Sequence, residues 1–443
     1  MTTIYNFRMN CKTNVKINFN GGDLSSDSGL LLYKDFIEAM NIKETLIQNI
    51  SSLNDGKNHR KHENIDVLLQ KTYQKIAGYH TDSAADKLRN DPVLQEVTDK
   101  DNLASQPTIS RYNNSLTKDS MKEFQQANLA ILDTAYQIEK PNLFVYDLDS
   151  THVNTCGEQY GSAYNSHYGE TGFHPLVMFN GHNGDFLKGL LRAGNVYTSR
   201  DVVRFAEDVF IRHQNNYPES KKYVRADSGF AKPALYQCCE RHNIQYAIRL
   251  KANSILYKKA EFLLEKLNQK VSSSKNGYGV VYGSFSYKAG SWIKERRVVV
   301  KIEQKPEKLF PDYTFVVTNL DAKPKAVIKF YSKRGTMENF IKESKYGFAL
   351  DKLSSTDYWA NANKLQHTIL AYNIHNLMRR LCFPEEHQKD TIQTTRLKII
   401  KIAGRKVTSG RYTYFKLSSH AVYKDLFLEI HNNIRKIAYS KAA

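Results

Sequence analysis

Four polar residues in the stretch Tyr331 to Lys345, YSKRGTMENFIKESK, are spaced for chemistry on a phosphate. Tyr331, Arg334, Glu338 and Lys345 stand at offsets 0, 3, 7 and 14. At about 100° per residue in a helix these fall at roughly 0°, −60°, −20° and −40°, one narrow face. Glu343 lies about 120° from Tyr331, off this arc, and Met337, Phe340 and Ile341 supply a separate apolar flank. An acid between an arginine and a lysine suits a site that holds a metal ion and a phosphate together. The plainer alternative is a solvated, charge-laced helix face.

A metal site needs further acids, and two strand-like segments upstream end in aspartate. LFVYDLDST at 143–151 carries Asp147 and Asp149, and KYVRADSGF at 222–230 carries Asp227. Carboxylates gathered from different elements repel one another unless a cation lies between them. Mg²⁺ (or Mn²⁺) fits oxygen ligands of this kind, and two such ions roughly 4 Å apart can stabilise the attacking and leaving oxygens of a displacement at phosphorus. Residues 147 and 149 point the same way along a strand, so the pattern does not choose between them. A lone strand-end aspartate is ordinarily a turn or helix cap.

The elements that must position these residues follow from periodicity. Residues 13–19 alternate as a short strand, and NGGDLSSDSG at 20–29 is turn chemistry offering Ser and Asp caps to a helix through about Met40. Helical patterns cover Ile65–Ile76 and Ser83–Arg89, with a break at Pro92, and then about Lys118–Ile138, closed by Pro141. From Leu143 the order is a buried strand, a hairpin (PLVMFN, the turn GHNGD, then FLKGLLRAGN), a helix capped by Ser199, the 222–230 strand, a helix at Pro233–His242 and a strand at 246–250. This is the order of an RNase H-like α/β core. Alternation in YGVVYGSFSYK, RRVVVKIEQ and YTFVVTNL predicts a β-rich insertion over 251–329. Tyr358–Leu381 reads as a long amphipathic helix, followed by a strand at Arg411–Leu417 and a helix at Tyr423–Tyr439. The expected division is a mainly helical region (1–140), the core in two parts (141–250 and 330–381) around the insertion, and a C-terminal region (382–443).

In LASQPTISRYNN at 103–114, a proline near a helix start is followed by Thr108, Ser110 and Arg111. This could be the turn and recognition helix of a helix-turn-helix, whose first turn meets bases or phosphates. A capped surface helix in a bundle is the alternative.

With 443 residues, 41% hydrophobic and 25% charged, the chain is an ordinary globular one long enough for several domains. Lys+Arg 64 against Asp+Glu 45 gives a net charge of +19, spread along the chain with no basic tail. That excess favours a polyanion, most simply double-stranded DNA. No membrane-length apolar run or signal peptide is present in the sequence, which leads us to expect a cytoplasmic, nucleoid-associated protein. Cys11, Cys156, Cys238, Cys239 and Cys382 form no CxxC pair, and His59 and His62, without a second pair at zinc spacing, read as surface residues.

The spacing Y-x2-R-x3-E-x6-K resembles the hallmark of DDE transposases related to bacterial insertion sequence 4. More closely, GGDLSSDSGL, AGYHTDSAADKLRNDP, QPTISR, DLDST, GFHPLVMFNGHNGDFLKGLLRAGN, VRADSGF and that motif, in this order, resemble the insertion sequence 1380 family over nearly the whole chain. The resemblance implies an RNase H-like fold, two Mg²⁺ or Mn²⁺ ions, cleavage and strand transfer at terminal inverted repeats, and a homodimer on DNA. It favours Asp149 over Asp147, because the family's first acid precedes a small polar residue and threonine, as in DST. On that basis Asp149 bridges two ions, Asp227 completes one and Glu338 the other. Arg334 and Lys345 then contact phosphate, and Tyr331 either joins them, stacks on a base or packs as a core tyrosine. A nuclease or resolvase of the same fold and a DNA-binding regulator derived from a transposase are the alternatives.

Overall fold

The computed structural model describes residues 7–9, 12–53 and 61–442, so His59 and Cys11 lie outside the described residues. Runs rich in Val, Ile, Phe and Tyr between Leu143 and Thr318 form one eight-stranded sheet, the arrangement that buries such runs while pairing the backbone groups of the inner strands. In chain order its strands are β1 (Leu143–Ser150), β2 (Leu176–Asn180), β3 (Phe186–Leu190), β4 (Lys221–Ala226), β5 (Gln245–Leu250), β6 (Gly279–Tyr287), β7 (Arg296–Gln304) and β8 (Asp312–Thr318). Across the sheet the order is β6-β7-β8-β5-β4-β1-β2-β3. β4 lies parallel to β1 and to β5, while the remaining neighbours are antiparallel. Parallel neighbours need crossovers, supplied by α1 (Val202–Asn216) between β3 and β4 and α2 (Pro233–Arg241) between β4 and β5.

The structure corrects several local expectations. The strands at 279–318 do not form a sheet of their own: β8 pairs antiparallel with β5, from Ala247↔Thr318 to Leu250↔Phe315, and continues the core sheet. Strand alternation reads the same in either arrangement; what decides is that β5 would otherwise leave an unpaired edge. Two helices, Ser254–Ala260 and Leu264–Ser273, also lie within the stretch read as β-rich, ahead of its strands. Pro92 begins a helix, Pro92–Thr98, because Asp91 accepts from the backbone N–H groups of Val93 and Leu94 and proline suits the first helical turn. Asp201 rather than Ser199 is the residue before α1. Gly29, not a Ser or Asp, precedes the Leu30–Ala39 helix, and a Cβ there would lie 2.0 Å from the Ile399 carbonyl. Asp27 is instead buried, accepting from Tyr79 Oη (2.7 Å) and Lys401 Nζ (2.5 Å).

The chain divides into two units, one of residues 1–138, 346–350 and 366–443, the other of 139–345 and 351–365. The first joins the N-terminal helices to the C-terminal region, which sequence pattern alone keeps apart. Arg396 donates to the carbonyls of Lys75, Ile76 and Gly347 within it, and Gly404–Ser409 pairs with both Tyr412–Leu417 and Leu24–Ser25. The helix Tyr358–Cys382 contributes residues to both units. Among the described residues no helix is long and apolar enough to cross a membrane.

Candidate active site

In-register parallel pairing sets Asp147 beside Arg225 and Leu148 beside Ala226. The next step along both strands carries Asp149 and Asp227 past the paired ends, on the face that Asp147 and Arg225 share, since side chains repeat every two residues. The spacing is the same for both pairs: 225 − 147 = 78 and 227 − 149 = 78. Asp147 is fully buried, and Arg225, 2% exposed, holds it by a two-pronged fork, Nε to Oδ1 at 2.7 Å and Nη2 to Oδ2 at 2.6 Å. Burial pushes the Asp147 carboxyl up to about 6 even though Arg225 pulls it down. At Gly181 a Cβ would lie 2.0 Å from Asp147 Oδ2, so this corner has room only for glycine.

Asp149 and Asp227 instead line one cavity of about 460 Å³, together with Ser150, His167, Tyr168 and Thr198. Oδ1 of Asp149 accepts from its neighbour Ser150 N–H at 2.8 Å, and Oδ1 of Asp227 from Gly229 N–H at 2.9 Å. Ser150 Oγ reaches Thr198 Oγ1 at 3.1 Å. Burial raises the Asp149 pKa, Arg334 opposes it and Asp227 adds to it by like-charge repulsion. Burial and the negative charges of both acids, which line the same cavity, raise the Tyr168 phenol; its ring stacks on His152 at 4.8 Å.

The Tyr331–Lys345 stretch is not one straight helix. α3 (Pro324–Ser332) ends at a turn over Lys333 and Arg334, α4 (Gly335–Lys342) follows, and Glu343–Gly347 forms a wider π-type turn. A constant 100° per residue therefore does not carry from Tyr331 to Lys345. Packing sets each segment. α3 lays Val327 and Ile328 on Ala247, Val299 and Val316, with Tyr331 partly buried against them. Arg225 Nη1 donates to the carbonyl of Phe330 at 3.0 Å, which ties the end of α3 to Asp147. α4 buries Met337 and sets Phe340 against Phe179, 5.8 Å between centroids.

The predicted residues are distributed accordingly. Arg334 crosses to Asp149, Nη2 to Oδ2 at 2.8 Å, with its Nε buried and unpartnered. Burial works against the Arg334 charge, but Asp149 and Asp227 outweigh it and hold its pKa above the usual value. Burial raises the Tyr331 phenol, and Arg334, Arg249, Asp227 and Asp149 lie close enough to act on it. Lys345 donates to the His152 carbonyl at 2.6 Å, just beyond the end of β1, and burial lowers its pKa. Glu338 is exposed on α4. Among the described residues Asp149, Asp227 and Glu338 do not converge as a three-ligand cluster. Thr108 and Ser110 are half-buried and Arg111 exposed on the helix Gln106–Ser115, where Arg111 Nη2 donates to Thr108 Oγ1 at 3.2 Å. Seven residues, 99–105, separate that helix from Pro92–Thr98.

The donor set suits a hard divalent cation. Asp149 and Asp227 face the same space, their partners are two backbone N–H groups and one guanidinium, and Mg²⁺ is commonly held by one or two carboxylates with water and phosphate. Sequence reasoning missed Arg225, His167 and Tyr168. For Arg225 a signal existed: an arginine two residues before Asp227, at the same distance from Asp147 as Asp227 is from Asp149.

A family model described as Transposase DDE domain group 1 matches residues 7–439. The chain belongs to this family of DDE transposases, enzymes that generally work with divalent metal ions. A solved cryo-EM structure of piggyBac transposase in a synaptic complex with hairpin DNA is similar at 11% identity and a TM-score of 0.43, over 94% of this chain and 82% of that one. No curated protein matches the chain in sequence.

Proposed function

We propose that this chain is the transposase of an insertion sequence resembling the 1380 family, built on an RNase H-like core, and that it cuts and joins DNA at the element's inverted repeats. The observation that carries the reading is the pair Asp149 and Asp227, set by parallel strands in one cavity and bridged to the motif stretch by Arg334. Asp149 and Asp227 would hold two Mg²⁺ or Mn²⁺ ions, with Glu338 as third acid. The ions would supply charge stabilisation to the attacking and leaving oxygens of an in-line displacement at phosphorus.

The chain's own residues prepare that site. Arg225 keeps Asp147 out of it and holds the end of α3 in place. Arg334 neutralises Asp149 while no phosphate is bound, and its unpaired Nε gives it a further donor for a phosphate oxygen. Lys345 binds the segment after β1 and keeps further ammonium protons for the DNA backbone. Tyr331, partly buried against Ala247, Val299 and Val316, would offer its hydroxyl to a phosphate or its ring to an exposed base. Thr108, Ser110 and Arg111 would meet the DNA ends, and the protein would act as a homodimer on DNA in the cytoplasm, at the nucleoid.

The test is incubation of the purified chain with DNA carrying the ends that flank its gene, with Mg²⁺ or with EDTA. Cuts at the inverted repeats that need the metal are expected. Cleavage that survives EDTA, or cutting without preference for the ends, overturns the proposal.

A further inference from the structure

Away from Asp149 and Asp227, the two crossover helices bring another set of ligand atoms together. Cys238 and His242 stand four residues apart at the end of α2, on one face, and Glu207 meets them from α1. Ligand atoms of the three residues lie within 4.8 Å of one another. Cys238 is 1% exposed, while the side chains of His242 and Glu207 are 14% and 30% exposed, which leaves a way in from solvent.

Hydrogen bonds give the ring a direction. Gln214 Nε2 donates to the His242 carbonyl at 2.5 Å, which turns Gln214 Oε1 onto His242 Nδ1 at 3.0 Å. An amide oxygen only accepts, so Nδ1 carries a proton and Nε2 of the neutral ring presents a lone pair. That nitrogen faces Glu207 Oε1 at 2.9 Å. Two lone pairs at this distance repel, so the pair carries a further proton on the ring or, once opened to about 3.3 Å, shares a cation.

We propose that Glu207, Cys238 and His242 bind a divalent transition-metal ion, with Zn²⁺ the best match, through one carboxylate oxygen, one thiolate and one imidazole nitrogen, leaving water in the fourth position. Zinc bonds of about 2.0–2.3 Å put tetrahedral ligands roughly 3.3–3.8 Å apart, so the His242–Glu207 pair at 2.9 Å opens slightly while the wider spacings, which reach at most 4.8 Å, close by about 1 Å. The Gln214 bond is the outer contact that orients a metal-binding histidine. A thiolate and an imidazole select a softer ion than the Mg²⁺ that suits Asp149 and Asp227. Arg241 Nη2 lies 2.5 Å from Glu207 Oε1, and the same side chain bonds Cys238, so Arg241 now supplies the positive charge; 62% exposed, it has to turn out to solvent when the ion binds. On binding, the Cys238 thiol proton leaves to solvent and the ion staples α1 to α2, the two helices that flank the strand leading to Asp227.

The full-length protein is titrated with Co²⁺ and then Zn²⁺ in excess Mg²⁺, which fills oxygen-only acid sites and does not compete for the thiolate. One Co²⁺ per chain with a thiolate-to-cobalt charge-transfer band, displaced by Zn²⁺, is expected, together with a melting temperature raised by Zn²⁺ and lowered again by EDTA. Cys238→Ser abolishes the band and Cys239→Ser keeps it. Glu207→Gln, at a partly exposed position, weakens binding without disturbing the fold, and Gln214→Leu weakens it on the order of 10- to 100-fold. No band with folded wild-type protein, or a band that persists in Cys238→Ser, overturns the proposal and leaves an ion-paired cluster without metal.

Discussion

Replacing Arg225 with methionine tests whether the Asp147–Arg225 pair is scaffold rather than chemistry. The guanidinium is 2% exposed and Asp147 0%, so the variant leaves a buried carboxyl without its counter-charge. Removing one partner of such a pair costs about 3–5 kcal/mol. For a unit of this size that corresponds to about 6–20 °C in melting temperature. The sign of the pH dependence is fixed as well. Burial already raises Asp147 to about 6 with Arg225 in place, and without it the carboxyl rises further. A carboxyl whose folded pKa lies above its unfolded value adds stability at low pH that is lost as pH rises through the folded pKa. The deficit of Arg225→Met should therefore be smaller at pH 5 than at pH 8 in thermal melts. Asp147→Val/Arg225→Met removes both charges and should recover most of the loss, because buried ion pairs are often replaceable by apolar groups. A single variant within about 1 kcal/mol of wild type, or a double variant no better than the single, would refute the assignment.

Other outcomes follow from the same geometry. Asp149→Asn, Asp227→Asn and Glu338→Gln should each lower cleavage by about 10³-fold or more, near 4 kcal/mol of transition-state stabilisation, yet bind DNA ends as well as wild type in gel-shift assays. Glu343→Gln should be mild, and a dead Glu343→Gln beside an active Glu338→Gln would move the third acid. Lys345→Ala should weaken end binding as well as cleavage, and end affinity should fall with salt with a log–log slope of several units for this +19 chain; a flat response would mean that the basic surface does not meet DNA. His213, buried against Phe144 and bonded to Tyr146 Oη at 3.1 Å, has its pKa lowered to about 3 by burial. Its neutral form is required in the fold, so stability present above pH 6.5 should drop by about 2 kcal/mol by pH 5, and His213→Gln should flatten that acid limb in urea melts.

Much of the catalytic unit is legible locally. Strand periodicity places β1, the β2–β3 hairpin, β4 and β5 in order, because each is a short apolar run bounded by turn residues, and the helix Lys118–Ile138 has the bounds that its pattern predicts. The spacing of the motif stretch also singles out Arg334, there as a phosphate contact; that it crosses to Asp149 is visible only in the structure. Less legible is the straightness of that stretch. Packing of α3 on the sheet and of α4 on Phe179 breaks the helix between them, and no residue spacing records it.

What the sequence determines by itself is the set of elements and the acids at their ends, because turn chemistry and side-chain alternation act over a few residues. Tertiary structure alone decides which aspartate faces the cavity. Asp147 and Asp149 share a strand face and differ only in what lies opposite: Arg225 and the Cβ-less Gly181 close over Asp147, while Asp149 borders the open cavity beside Asp227. The same holds for β8, whose alternation is satisfied in any sheet. Only the unpaired edge of β5, contributed from more than 60 residues upstream, fixes where it must lie.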